Sequence, residues 1–188
     1  MNVVLASASI RRQELLERLY KEFTIIVSDF DESSVVYKGI PEEYVKELSK
    51  GKAMAVCKNI NEPSIIIAAD TIVVYNNDVL LKPKDEKDAY EMLKKLSGNL
   101  HYVYSGITVV NTYNNKIISE SVETQVKFSD LNDAEINEYI KTGEPMDKSG
   151  AYGIQGYGGV FVEKINGCYY NVVGLPLNKL KEIIKRIS

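Results

Sequence analysis

Residues 65–74 read Ile-Ile-Ile-Ala-Ala-Asp-Thr-Ile-Val-Val. A run this apolar and β-branched is a strand buried on both faces. Such a strand needs a layer packed on each side of its sheet, which points to an α/β architecture. Asp70 stands inside the run. A charged acid is expensive to bury unless it meets a metal or a cation. Structural acids sit at strand ends or on exposed faces, so Asp70 is read as functional.

The start of the chain adds a second constraint. Met1 to Ala6 reads as a buried strand, Ser7-Ala8-Ser9-Ile10-Arg11-Arg12 follows, and Gln13 to Leu19 has helical periodicity. A helix N-terminus at a strand's carboxyl end gathers unpaired N–H groups and the positive end of the dipole, which suits an anion. Ser9 is placed to cap the helix. Arg11 and Arg12 run against the dipole, which favours acids in a first turn. Two guanidiniums there suggest a phosphate that outweighs the repulsion, against the alternative of two solvated surface arginines.

Composition narrows the chemistry. A chain of 188 residues buries one sizeable core, so one domain is expected, with room for two lobes. A net charge of −3 argues against a general nucleic-acid or membrane-surface binder. No signal peptide or transmembrane run is visible. Cys57 and Cys168 are far apart with no metal spacing, and are read as reduced thiols of a cytoplasmic protein. The single histidine, His101, excludes a multi-histidine zinc site and leaves little room for a histidine-based triad. Carboxylates, lysines, arginines and a hard metal remain. No Gly-x-x-x-x-Gly-Lys-Ser/Thr occurs, which counts against a nucleotide kinase or P-loop hydrolase.

The elements alternate, without repeats. Phe23 to Val27 is a strand, and a polar loop carries Asp29, Asp31 and Glu32. Pro41-Glu42-Glu43 opens a helix that runs to about Asn59. The Asp70 strand pairs with Val79 to Leu81 through a turn at Asn76-Asn77-Asp78. Asp85 caps a helix to Leu96, and Gly98 ends it. His101 to Thr112 and Lys116 to Phe128 form a hairpin around Asn114-Asn115, and Asn132 to Lys141 is helical. Val160 to Ile165 and Cys168 to Val173 flank Asn166-Gly167 and read as a second hairpin. Leu177 to Ile187 is an amphipathic closing helix. The sum is a mixed, twisted sheet with helices on both sides.

Several residues carry two readings. Glu32 alone is one acid in a solvated run. Lys52 shares a helical stripe with Val45, Leu48 and Val56, so it faces inward, to snorkel or to bind phosphate. Lys82, beside Pro83, ends a strand or meets a phosphate. His101 is read as a satisfied core histidine. Gln155, between glycines, is a turn residue or a base-reading amide. Tyr152 is a candidate for stacking. The glycines from Gly143 to Gly156 let backbone approach a ligand closely.

Taken together, the chain resembles the Maf-like nucleoside triphosphate pyrophosphatases along nearly its whole length. The matching segments are Leu5 to Leu16, Asp31-Glu32, Lys50 to Ala53, Ala69 to Val73, Lys82-Pro83, Leu96 to His101, Asp147 to Gly156 and Val173 to Leu177. Their order and spacing are specific. Ile10 stands where the family usually has Pro, and Ser149 where it usually has Ala; neither change removes a functional group.

The resemblance implies an α/β fold of the inosine triphosphate pyrophosphatase type, with two lobes around a cleft. It implies hydrolysis of a nucleoside triphosphate to the monophosphate and pyrophosphate, in a nucleotide-pool sanitation role. Asp70, Glu32 and Lys52 would be catalytic, and Ser9, Arg11, Arg12, Thr71, Lys82 and Gln155 would bind substrate. Arg11, Arg12, Lys52 and Lys82 are enough cations to hold a triphosphate. Glu32 and Asp70 offer hard oxygens to Mg²⁺, with Mn²⁺ as a substitute. Asp70 is either a metal ligand or the base that takes the proton of the attacking water; the resemblance assigns it as proton acceptor.

Arg11, Thr71 and Gln155 look like the subgroup acting on dTTP and UTP. The subgroup acting on 7-methyl-GTP typically carries an aromatic residue and an acid at the positions of Arg11 and Gln155. A neutral amide donates and accepts, which suits the O4 and N3–H edge of thymine or uracil. A cationic 7-methylguanine would favour an acid and an aromatic face. The alternatives are a 7-methyl-GTP-preferring enzyme and a nucleotide-binding regulator of cell division or septum formation. A pure binder has little use for paired acids, which disfavours the regulator. Family members are often dimers, so a homodimer is the expected partner, with no nucleic acid or membrane.

Overall fold

The computed structural model describes residues 2–188. The strand expected from Met1 is described from its second residue, and Met1 itself lies outside the described residues. The core is a seven-stranded mixed sheet flanked by helices. Its strands are β1 (Asn2–Leu5), β2 (Thr24–Ile25), β3 (Ser64–Tyr75), β4 (Asp78–Leu80), β5 (Leu100–Asn111), β6 (Lys116–Phe128) and β7 (Val162–Asn166). The order is β2-β1-β3-β5-β6-β7, with β4 paired to β3. β1 lies parallel to both β2 and β3, whereas β3–β4 and β6–β7 are antiparallel. The helices are α1 (Ile10–Leu16), α2 (Pro41–Lys58), α3 (Glu86–Leu96), α4 (Asp133–Lys141), α5 (Tyr169–Val173) and α6 (Leu177–Ile187). Among the described residues, no helix is long and apolar enough to cross a membrane.

The chain divides into two compact units. The first comprises Met1–Asp70, Ser105–Val122 and Gly174–Ser188. Val4, Ala6, Ala53, Val56, Ile66, Ala68 and Val110 form one of its buried clusters. α2 lies close on β5 because residue 106 is glycine: a Cβ there would stand 2.0 Å from the Val45 carbonyl oxygen. The buried hydroxyls of Ser49 and Thr108, 2.9 Å apart, join the same two elements. α6 buries Leu177, Leu180, Ile183 and Ile187, and the Asn111 side-chain amide donates to the Ile187 carbonyl.

The second unit comprises Thr71–Tyr104 and Glu123–Val173. Its core gathers α3, α4 and the sheet around Phe128, whose ring meets His101 and Tyr152 edge-on at 4.9 and 4.7 Å. Asp85 accepts from the Asp88 amide and starts α3, and Gly98 takes φ +66° beyond its end. Asn132 and Glu135 form a reciprocal capping box on α4.

Two expectations fail. β2 spans only Thr24–Ile25, paired with Val4 and Leu5 at the carboxyl end of β1. The segment after Asn166-Gly167 is the helix α5, not a strand. Gly167 takes φ +134°, as a turn needs, but Thr124 Oγ1 then captures both the amide and the carbonyl of Cys168. The Asn171 and Val172 amides turn back to that carbonyl, and the buried Asn171 side chain anchors the turn on Val103 and Thr124. β7 is paired with β6 instead.

Candidate active site

Asp70 ends the part of β3 that belongs to the first unit, and it is 8% exposed. Lys52 comes from α2, on the inward stripe with Val45, Leu48 and Val56, all buried. Its ammonium donates to Asp70 Oδ1 and stands 2.9 Å from Glu32 Oε1. The cation that Asp70 requires is therefore Lys52, held in direct contact with it. The acidic loop is sorted by local geometry. Asp31 turns its carboxylate back to the Ser33 amide and hydroxyl, at 3.0 and 2.7 Å. Glu32 opens the short helical turn Glu32–Ser34 that Asp31 caps, and reaches Lys52.

Arg12 completes this cluster. Its Nε donates to the Gly174 carbonyl at 2.9 Å and a terminal nitrogen donates to Ser7 Oγ at 3.4 Å. Burial, together with Arg11, lowers its pKa from the ordinary guanidinium value, while the Asp70 and Glu32 carboxylates oppose that shift. Arg11 is half-buried on the first turn of α1, which contains no acid. Ser9 occupies the N-cap position, but its side chain makes no capping hydrogen bond; its own amide donates to Ser7 Oγ. α1 is seven residues long, so the dipole invoked for it is short. Ile10 is 70% exposed, and its side chain makes little of the turn that proline usually opens.

Lys82, Thr71 and Gln155 belong to the second unit. Thr71 is half-buried, directly after Asp70 in β3. Lys82 is exposed two residues beyond β4, and Gln155 is exposed in a turn. Glycines of the glycine-dense segment make room for this chain's own side chains. A Cβ at Gly156 would lie 2.1 Å from Glu144 Oε2, one at Gly153 2.6 Å from Lys148 Cε, and one at Gly158 2.7 Å from the Tyr139 hydroxyl.

Glu144 is the centre of that packing. It accepts from the Tyr139 hydroxyl at 2.8 Å, the Tyr157 amide at 2.8 Å and the Gly158 amide at 3.1 Å. Tyr139 Oη accepts in turn from the Gly153 amide. Burial works to raise the Glu144 carboxyl, but the Gly158 and Tyr157 amides, Tyr139 and Lys148 together hold it below its usual range. The turn bearing Gln155 is thus clamped on both sides. Sequence reasoning missed Glu144, Gly174 and Ser7; the crowded glycines were the available sign of the first. Ser149 ties its segment to the sheet, accepting from the Val73 amide at 3.0 Å and donating to the Leu80 carbonyl. Tyr152, the stacking candidate, is a core residue, 5% exposed. His101 is a core histidine as expected, its Nε2 2.8 Å from the Tyr152 hydroxyl, but it is only half satisfied, because its buried Nδ1 lacks a hydrogen-bond partner among the described residues.

Among the described residues, no group of three or more His, Cys, Asp and Glu side chains is arranged to hold a metal. The two carboxylates that converge are Glu32 and Asp70, with the Lys52 ammonium bridging them. Two hard carboxylate oxygens already facing a cation fit Mg²⁺, which is held by one or two carboxylates plus substrate phosphates and water.

The family model described as Maf-like protein matches residues 2–187. Among similar proteins, the dTTP/UTP pyrophosphatase of Clostridium beijerinckii is 59% identical over 188 residues, covering 100% of both chains. That of Clostridium novyi (strain NT) is 64% identical over 183 residues, covering 97% of this chain and 96% of the relative. A solved structure of the nucleoside-triphosphatase / dITP/XTP pyrophosphatase from Mycobacterium abscessus aligns with a TM-score of 0.43 at 10% identity, covering 99% of this chain and 95% of that one. With the family model spanning nearly every residue and such relatives aligned end to end, this chain belongs to the Maf-like protein family.

Proposed function

We propose that residues 1–188 work as one domain that hydrolyses dTTP, UTP and 5-modified uridine triphosphates to the monophosphate and pyrophosphate. The carrying observation is the buried Asp70 held by Lys52, with Glu32 and Arg12 beside it. The names of the similar clostridial enzymes supply the substrate class.

In this reading the Lys52 ammonium moves from Asp70 to a phosphate oxygen as the triphosphate enters. Its departure leaves the Asp70 carboxylate able to take the proton of a water attacking the α-phosphorus. Arg12 and Lys52 offset the charge that grows on the phosphates, and this electrostatic part is the main contribution. Glu32 and Asp70 would hold a divalent ion, Mg²⁺ in our reading, whose chemistry when bound is to polarise the phosphate and neutralise charge. Ser9, Arg11 and Lys82 contact the phosphates, Thr71 shapes the pocket near sugar or base, and Gln155 reads O4 and N3–H of the pyrimidine. These five assignments rest on the family resemblance. A homodimer and a cytoplasmic location accompany it.

The test is a panel of triphosphates with Mg²⁺ and product identification. dTTP and UTP should yield monophosphate and pyrophosphate, with kcat/KM above that for 7-methyl-GTP, and Gln155→Glu should shift that ratio. Diphosphate and inorganic phosphate as main products, or a preference for 7-methyl-GTP, would overturn the assignment.

A further inference from the structure

Gly51 occupies the interior of the eighteen-residue α2, immediately before Lys52. Glycine is among the poorest helix formers, and at an interior position alanine is the better residue. Its backbone is helical, so no left-handed conformation demands it. The Phe30 ring does demand it. A Cβ on residue 51 would lie 2.3 Å from Phe30 Cζ and 2.5 Å from each Cε, so the tip of the ring rests in the notch left by the missing side chain.

Phe30 lies two residues before Glu32. Between them Asp31 caps the turn Glu32–Ser34, which makes the short connection stiff. The Glu32 side chain is 59% exposed. An ion pair that open holds two flexible side chains together weakly. Something besides the charge must keep Glu32 at Lys52, and the seated ring is the contact that does so.

We infer that the Gly51 notch and the Phe30 ring form a socket that positions Glu32 on Lys52. Gly51 and Phe30 are thus positioning residues for the hydrolysis, and the inference rests on the reading of Glu32 as part of the catalytic cluster. An alanine at 51 pushes the ring out and carries Glu32 off the ammonium, while the helix itself gains a better helix former.

The experiment compares kcat and KM for UTP with Mg²⁺, together with thermal midpoints, in wild type, Gly51→Ala, Phe30→Ala, the double variant and Glu32→Gln. A displacement of about 1 Å at a reacting group costs up to about a hundredfold. Gly51→Ala and Phe30→Ala should each lower kcat by about tenfold or more, within the loss shown by Glu32→Gln. The double variant should be no worse than Phe30→Ala alone, because the two residues act through one contact. The midpoint of Gly51→Ala should equal or exceed that of wild type. Wild-type kcat in Gly51→Ala and Phe30→Ala beside an impaired Glu32→Gln overturns the socket and leaves the catalytic reading standing. A Gly51→Ala midpoint that falls with its activity also overturns it, since the glycine would then be serving packing alone. Wild-type kcat in Glu32→Gln removes Glu32 from the catalytic cluster and the socket's purpose with it.

Discussion

Asp70 and Lys52 define each other: the acid is buried because the ammonium meets it, and the ammonium is poised because the acid holds it. Asp70→Asn keeps the shape and removes charge and basicity. Pyrophosphate release should fall by about two orders of magnitude or more, with the fold retained. Lys52→Met differs, since it strands a buried carboxylate beside Glu32. Turnover should fall, and the thermal midpoint should fall with it, because an unpaired buried charge is strongly destabilising. Arg12→Met should likewise lose both, giving up the Gly174 carbonyl as well as a cation. Calorimetry beside the activity assay separates these variants from Asp70→Asn.

His101 gives the fold a pH dependence. Burial lowers its pKa from 6.5 to about 4, with the Asn99 backbone opposing. Below pH 6.5 the unfolded chain takes up a proton that the folded chain refuses, so this contribution is complete above 6.5 and is lost as pH falls toward 4. The slope approaches about 1.4 kcal/mol per pH unit. Denaturant midpoints measured across that window should flatten in His101→Gln. Asp70 and Lys52 were legible in the sequence because each breaks its local pattern, an acid in an apolar strand and a lysine on an apolar stripe. Glu32 was not, because nothing in an acidic loop distinguishes the residue that points inward; only the family pattern singled it out. Gly51 and Glu144 escaped because what they meet lies outside their own local pattern, Phe30 in a preceding loop for the first and Tyr139, Tyr157 and Gly158 in neighbouring segments for the second.

At the level of elements, local chemistry was sufficient where it acts within one turn. The capped α3 and α4 and the amphipathic α6 lie where their end signals place them. It failed where a distant side chain decided the outcome. Asn166-Gly167 signals a turn but leaves open whether a strand or a helix comes next, and Thr124 makes that choice. The glycines from Gly153 to Gly158 signal close approach but not by what, and Glu144 and its neighbours are the answer. The Glu144 clamp implies a separable effect. Glu144→Gln keeps the size and weakens three hydrogen bonds to carboxylate oxygens, each of a kind worth about 1.5–3 kcal/mol. We expect KM for dTTP to rise about tenfold, a loss of about 1.4 kcal/mol, with kcat changed far less, measured on initial rates of pyrophosphate release. An unchanged KM would mean that the turn keeps its form without the clamp.

On the scale of the whole molecule, the division into two units does not follow the order of the chain. The chain passes from one unit to the other after Asp70, Tyr104, Val122 and Val173. All of the second unit has been made by Val173, while the first still lacks Gly174–Ser188. That last stretch holds Leu180, Ile183 and Ile187 of the core, the carbonyl that receives Asn111, and the Gly174 carbonyl that receives Arg12. A chain ending at Val173 should therefore fold its second unit, lose the cooperative unfolding of the first, and release no pyrophosphate. Activity or two cooperative transitions in that truncated chain would contradict this. During synthesis the consequence is one of timing. Asp70 and Lys52 leave the ribosome early, yet the arginine beside them lacks the Gly174 carbonyl until that residue emerges, so a hydrolase of nucleotides stays idle until synthesis has run about a hundred residues beyond its catalytic acid.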